Sequence, residues 1–208
     1  MIEKPVNVFL NDLSSSSATP GGGSAAALIG SMGAALVSMV ANLTKGKKKY
    51  ESVEKEVLNV LDESELLRVS LQTAIQSDVE AFNNVMAAYS LPKETDEEKT
   101  IRSSKIQNAL RNAIDAPMEC AKLSARVIPL CKTIAKIGNV NIISDAGVAV
   151  LAARAAFKSA ELNVYVNASG LKDREFAESK IEEVRRLSRV IDLVENETFS
   201  FVADVILK

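Results

Sequence analysis

Residues 19–50 read TPGGGSAAALIGSMGAALVSMVANLTKGKKKY. Three consecutive glycines, Gly21 to Gly23, free the backbone for positive φ and for close approach of another group, and Ser24 then stands where a helix N-cap would stand. Residues 25–43 carry no charge and consist of small and aliphatic side chains with Met, Ser and Asn. Neighbours can pack against such a segment on every side, so the stretch predicts a central helix. Its free N–H groups after a glycine loop suit an anionic group. A cationic run, Lys45 to Lys49, follows its far end.

Three familiar patterns compete for the stretch. Gly21, Gly23 and Ala26 match a G-x-G-x-x-A dinucleotide fingerprint, which needs a preceding strand and an acidic residue roughly 20 positions on. VFLNDLSSSSATP is not strand-like, and no Asp or Glu lies between Leu13 and Tyr50. A phosphate loop of the G-x-x-x-x-G-K-S/T type lacks its lysine here. A membrane span has the required length of about 20 residues. Ala, Gly and Ser contribute little to insertion, no aromatic belt flanks the segment and no second span is expected, so the membrane reading is set aside. No basic leader with a cleavage site opens the sequence, and no secretory signal is expected.

The composition narrows the class. At 208 residues, with no linker-like stretch, the sequence predicts a single domain over 1–208. Hydrophobic residues make up 47% and aromatics 4%, without Trp. That balance favours packed helices over sheets, which draw on aromatic and β-branched side chains. A net charge of −2 and a pI near 5.4 argue against a nucleic-acid partner. Cys120 and Cys131 fit no metal or redox spacing and read as reduced thiols of a cytoplasmic protein. Histidine is absent. Acid–base chemistry therefore falls to Asp, Glu, Lys, Tyr or Cys, and any Ser-His-Asp triad or His-ligated metal is excluded.

A short amphipathic helix is expected at Val6–Leu13, and a long one from Tyr50 to Leu91, where apolar residues recur at threes and fours. Asp78 lies on that apolar face, seven after Leu71 and four before Phe82. A carboxylate facing a core is costly unless it is partnered or used. Pro92 closes the helix, and Thr95 with Glu98 forms a capping box that opens the next. This one runs to about Lys136, with kinks or breaks expected at Pro117 and Pro129. Gly138 stops it. The loop Gly138-Asn139-Val140-Asn141-Ile142-Ile143 leads to a helix start at Ser144-Asp145, and the helix to about Ala168 is again Ala-rich and nearly uncharged. A last amphipathic region, Asp173–Leu207, is expected to break near Asn196. The fold predicted is all-α: a bundle of long, partly kinked helices around two buried Ala/Gly-rich helices.

TPGGGSAAA, MVANLTKGKKKY, SDVEAFNNVMAAYSLPK with TDEEK, and GNVNIISDAGVAVL with LNVYVN occur in this order. Together they resemble the cyclodeaminase/cyclohydrolase family of folate one-carbon enzymes, over about Val6 to Lys180. Within it the stand-alone bacterial cyclohydrolases are nearest. The resemblance implies an all-helical homodimer or larger assembly acting on the one-carbon unit between N5 and N10 of tetrahydrofolate, with no metal and no redox cofactor. The expected reaction is hydrolysis of 5,10-methenyltetrahydrofolate to the 10-formyl compound. Closure of 5-formiminotetrahydrofolate with loss of ammonia is the alternative, and a non-catalytic folate-binding module is the reading from another class.

Both reactions need a proton acceptor and a proton donor. Asp78 is the first candidate catalytic residue, since a carboxylate beside a cationic amidinium stabilises charge and accepts a proton; its bland alternative is a core ion pair. Lys47, or Lys48 beside it, is the candidate donor. Asp145 is a further catalytic or pterin-binding candidate, although a helix start favours a carboxylate without any catalysis. Asn139, Asn141 and Ser144 are candidate substrate contacts or turn formers. Lys45 and Lys48, with Lys47 and Lys49, are candidates for the glutamate tail or form a solvated face beyond the uncharged helix. Gly21, Gly22, Gly23 and Ser24 are placed against the ligand. Asn163 and Asn167 are read as core amides.

Overall fold

The computed structural model describes residues 5–208, and these form an all-α structure. Its helices are α1 (Val6–Leu13), α2 (Gly22–Asn42), α3 (Glu54–Tyr89), α4 (Asp96–Ala113), α5 (Asp115–Ile137), α6 (Ile143–Ser169) and α7 (Arg174–Leu207). Short 3-10 turns at Lys48–Val53 and Val140–Ile142 lead into α3 and α6.

Glycine spacing shows why α2 is central. A Cβ at Gly30 would meet Ser124 of α5 at 3.0 Å, Leu71 of α3 at 3.1 Å and Ala156 of α6 at 3.2 Å. Three helices thus close on one turn of α2, and only a missing side chain admits them. At Gly33 the neighbours are backbone atoms of Ala149 and Ala153, both at 3.1 Å. Matching Gly22 with Asn163, Gly33 with Ala149, and Leu43 with Asn139 shows that α2 and α6 run antiparallel. The same logic pairs Gly23 with Asp78 and Ser38 with Ser64, so α3 is antiparallel to α2 as well. Leu67, Leu71, Ile114, Ile128 and Phe157 fill the space around these small-residue helices and are fully buried. Each such side chain contributes about 1.5–3 kcal/mol on leaving water.

Several expected boundaries hold and several move. The Thr95–Glu98 capping box is present, with Glu98 N–H donating to Thr95 Oγ1 (3.2 Å) and Thr95 N–H donating to Glu98 Oε2 (2.9 Å). Gly138 and Gly170 cap α5 and α6. The break between α4 and α5 falls at Ile114 rather than at a proline. Pro117 sits in the first turn of α5, where its missing N–H would have no intrahelical acceptor anyway, and Pro129 lies within α5 without ending it. The break expected at Asn196 does not occur: its side-chain amide donates to the Asp192 carbonyl one turn back (2.7 Å), and α7 continues to Leu207.

One face of the α2–α6 pair stays open. Along α2, Ala25, Ile29, Met32, Leu36, Met39 and Leu43 alternate spacings of four and three and are half-buried or exposed. On α6, Ser144, Val148, Leu151, Ala155, Ser159, Leu162 and Val166 recur at threes and fours and are likewise half-buried or exposed. Relative to the positions where the two helices touch, helical geometry puts both stripes on one side of the pair. The combined face carries no charge. By length and composition α6, like α2, is long and apolar enough to cross a bilayer, where the sequence suggested α2 alone.

Candidate active site

The N-terminal end of α2 gathers the first group of candidates. Gly21 is the N-cap, in extended conformation, and the helix begins at Gly22. Ser24 is therefore inside the first turn and does not cap. Its hydroxyl instead donates to Asp78 Oδ2 (2.8 Å), reaching 54 positions along the chain to α3. Gly23 explains why Asp78 can come so close: a Cβ there would fall inside the Asp78 carboxylate. Gly21 and Gly22 have ordinary room, with nearest atoms at 3.7 Å (Ala18 O) and 3.9 Å (Asn163 Nδ2). Positive φ, expected from the glycine run, is absent there; among the described residues it occurs only at Gly46.

Asp78 is half-buried, and no Lys or Arg among the described residues pairs with it. Burial raises its pKa above the ordinary carboxylate value, against the opposing hydrogen bonds from the Ser24 side chain and backbone. A carboxylate so placed holds a proton more readily than a surface Asp and can exchange it nearer neutrality. Cys120 lies close enough to feel its charge, and burial chiefly pushes that thiol up to about 12, so it stays protonated and is no nucleophile. Asn163 of α6 completes the rim beside Gly22, with its amide nitrogen donated to the Ser159 carbonyl (2.8 Å). Its residue type and one-turn spacing from Asn167 were visible in the sequence. Its position opposite the glycine loop was not.

A groove of about 750 Å³ opens next to this end, between α3, α4 and α5. Ser77 and Ala81, adjoining Asp78's turn, line it together with Glu80, Asn84, Asn108, Asn112, Asp115 and Glu119. Sequence reading missed it because polar residues on helix exteriors carry no signal of the hollow between them.

The remaining candidates lie at the other end of α2. Gly46, at φ 74°, turns the chain and donates its N–H to both Glu54 carboxylate oxygens (3.1 Å each). This presents Lys45, Lys47 and Lys48 to solvent, and Lys47 and Lys48 line a shallow hollow with Glu51 and Glu54. Asn139 is buried and ties this end together. Its backbone N–H donates to Thr44 Oγ1 (2.8 Å) and its amide to the Leu43 carbonyl (3.1 Å), while its side-chain oxygen accepts from Asn141 N–H (3.2 Å) and Tyr50 OH (3.4 Å). Asn139 thus caps the end of α2 and shapes the start of α6. Asn141 and Ser144 are exposed, and Asp145 is half-buried in the first turn of α6.

The structure brings Gly21–Ser24, Asp78 and Asn163 together. It places Lys45, Lys47, Lys48, Asn139, Asn141, Ser144 and Asp145 at the opposite end of α2, whose 21 residues separate the groups by about 30 Å.

Residues 5–186 match the family model described as formiminotransferase-cyclodeaminase. The chain is 57% identical over 182 residues to the methenyltetrahydrofolate cyclohydrolase of Methylorubrum extorquens, covering 88% of each. It is 32% identical over 176 residues to the formimidoyltransferase-cyclodeaminase of Sus scrofa, covering 85% of this chain and 32% of that protein. The crystal structure of formiminotetrahydrofolate cyclodeaminase from Thermotoga maritima superposes with a TM-score of 0.89 at 28% identity, covering 99% of this chain and 98% of that one.

Proposed function

The chain belongs to the formiminotransferase-cyclodeaminase family, and from that premise we propose that it hydrolyses 5,10-methenyltetrahydrofolate to 10-formyltetrahydrofolate. The observation that carries the choice of reaction is the 57% identity, over 88% of both chains, to a protein named for that activity. Similarity to the bifunctional formimidoyltransferase-cyclodeaminases is about 30% and covers a third of their length.

Asp78 fits the role of general base. Water bonds through its oxygen to the cationic carbon bridging N5 and N10, and the Asp78 carboxylate takes one of its protons. The adduct then opens: the bond from carbon to N5 breaks, the hydroxyl becomes the formyl carbonyl on N10, and its proton leaves. One of the two protons goes to N5, and the other is released. Ser24 orients Asp78, and the open N–H groups of Gly21 and Gly22 offer donors to an oxygen carrying developing negative charge. A base whose pKa is raised toward the working pH is suited to this transfer. No resident cofactor enters the scheme, and the folate derivative is the substrate. We further place the enzyme in the cytoplasm, unattached to a membrane, as a homodimer; two buried free thiols support the cytoplasm, and the uncharged α2–α6 face supports a second copy.

The structural match to a cyclodeaminase supports a second reading, in which N10 attacks a formimino carbon and ammonia leaves. Loss of methenyl absorbance above the spontaneous rate, with purified protein near neutral pH, is the expected result. Background decay with ammonia release from 5-formiminotetrahydrofolate would establish the second reaction instead. Neither activity would leave a folate-binding module.

A further inference from the structure

Resting on that reading, we infer that the carboxylate end of the folate is held in a basic hollow where α4 meets the turn between α6 and α7. The hollow measures about 530 Å³ and is lined by Lys99, Thr100, Ser103, Ser104, Gln107 and Lys172. Two ammonium groups, three hydroxyls and an amide, with no carboxylate among them, make a donor set for the carboxylates that end a folate.

A line of contacts leads there from the Asp78 site. Asn163, Asn167 and Gly170 recur at four and three on one face of α6. Asn163 stands beside Gly22, Asn167 donates its amide to the Ala113 carbonyl of α4 (2.7 Å), and the Gly170 carbonyl accepts from the Gln107 amide (3.0 Å). Just beyond, the Lys172 N–H donates to the Gln107 side-chain oxygen (2.6 Å) and its Nζ to Ser103 Oγ (2.8 Å). Arg102 donates to the Tyr89 carbonyl (2.9 Å), a register that sets Ala113 of α4 level with Asp78 of the antiparallel α3. From that level to Gln107 and Ser103 is about 9–15 Å of helix. One aromatic ring and one glutamate separate N10 from the tail carboxylates, a span of about three extended residues or roughly 10 Å. The two lengths agree.

Charge selects this direction. The groove on the other side of α4 is lined by Glu80, Asp115 and Glu119 and by no Lys or Arg, so it repels an anionic tail. In the hollow, Lys99 pairs with Asp96 (2.9 Å) where both side chains are exposed. Such a pair is weak enough to be exchanged for a substrate carboxylate.

Steady-state kinetics of Lys99→Ala/Lys172→Ala test the inference, with 5,10-methenyltetrahydrofolate beside the corresponding tetrahydropteroate, which lacks the glutamate. The KM for the folate should rise about 3–10-fold with kcat little changed, the KM for the pteroate should stay at the wild-type value, and Lys99→Arg/Lys172→Arg should restore the folate KM. Lys105→Ala, on the same helix outside the hollow, should leave both values unchanged. A folate KM that does not move, one that rises equally for the pteroate, or an equal effect of Lys105→Ala overturns the subsite. Wild-type protein that leaves methenyltetrahydrofolate at its spontaneous rate overturns the hydrolase reading instead. The subsite is then judged by equilibrium dialysis of tetrahydrofolate against tetrahydropteroate: weaker binding of the folate alone to the double alanine variant supports it, and equal binding to variant and wild type removes it.

Discussion

Asp78 is held where its charge is disfavoured, and that has consequences for both activity and stability. Asp78→Asn keeps an oxygen to accept from Ser24 and removes the base, so turnover should fall by about 10²–10⁴-fold. Because the folded pKa is raised above the unfolded value, ionised Asp78 destabilises the fold, and this penalty develops as pH rises from the unfolded pKa through the folded one. Above that window the Asn variant should melt at a higher temperature than wild type, with the difference vanishing in acid. Calorimetry at pH 7 and near pH 3 checks it; an Asn variant that melts lower at pH 7 would make Asp78 a structural residue. Ser24→Ala takes away a hydrogen bond that lowers the Asp78 pKa, so the acid limb of the rate profile should shift to higher pH. The misfit of Asp78 was legible from its place on an apolar stripe. Its partners Gly23 and Ser24 were singled out for other reasons, as a ligand-contacting loop and a helix cap, because no local pattern reports a contact across 54 positions.

Element boundaries were legible wherever the signal is local. Thr95 and Glu98 satisfy each other's backbone groups within one turn, and Gly138 and Gly170 end their helices where the residue type demands. The breaks that moved depended on position within an element: Pro117 is harmless in a first turn, and Asn196 is harmless once its amide bonds back to Asp192. Asn139 shows the same dependence. Read as a loop residue free to meet a ligand, it is buried and uses its side chain to join the end of α2 to the start of α6. Asn139→Ala would leave the Leu43 carbonyl and the Asn141 N–H without these partners, which should cost about 1–3 kcal/mol. Thr95→Ala, in an exposed cap far from the site, should cost about 1 kcal/mol and leave turnover unchanged. Urea unfolding of both variants, beside their steady-state rates, would separate the two cases; a stable but inactive Asn139→Ala would return that residue to the substrate.

At the scale of the molecule, the all-α bundle around two small-residue helices follows from composition, since Ala and Gly allow helices to approach but leave little apolar volume per chain. What composition cannot show is which side of α2 and α6 stays uncovered, because that depends on where α3, α5 and α7 dock. The open side sets a concentration dependence. If the proposed homodimer packs on this face, it must dissociate as protein is diluted through the dimer dissociation constant, by mass action and not by unfolding. Helical circular dichroism should hold steady over the same range. The sharper expectation concerns Met32→Glu, which places a charge in the middle of the uncharged face. Burying an unpaired carboxylate in an interface is costly, so this variant should sediment as a monomer at concentrations where wild type is dimeric, with an unchanged helical spectrum. A Met32→Glu protein that stays dimeric would move the homodimer contact to another face.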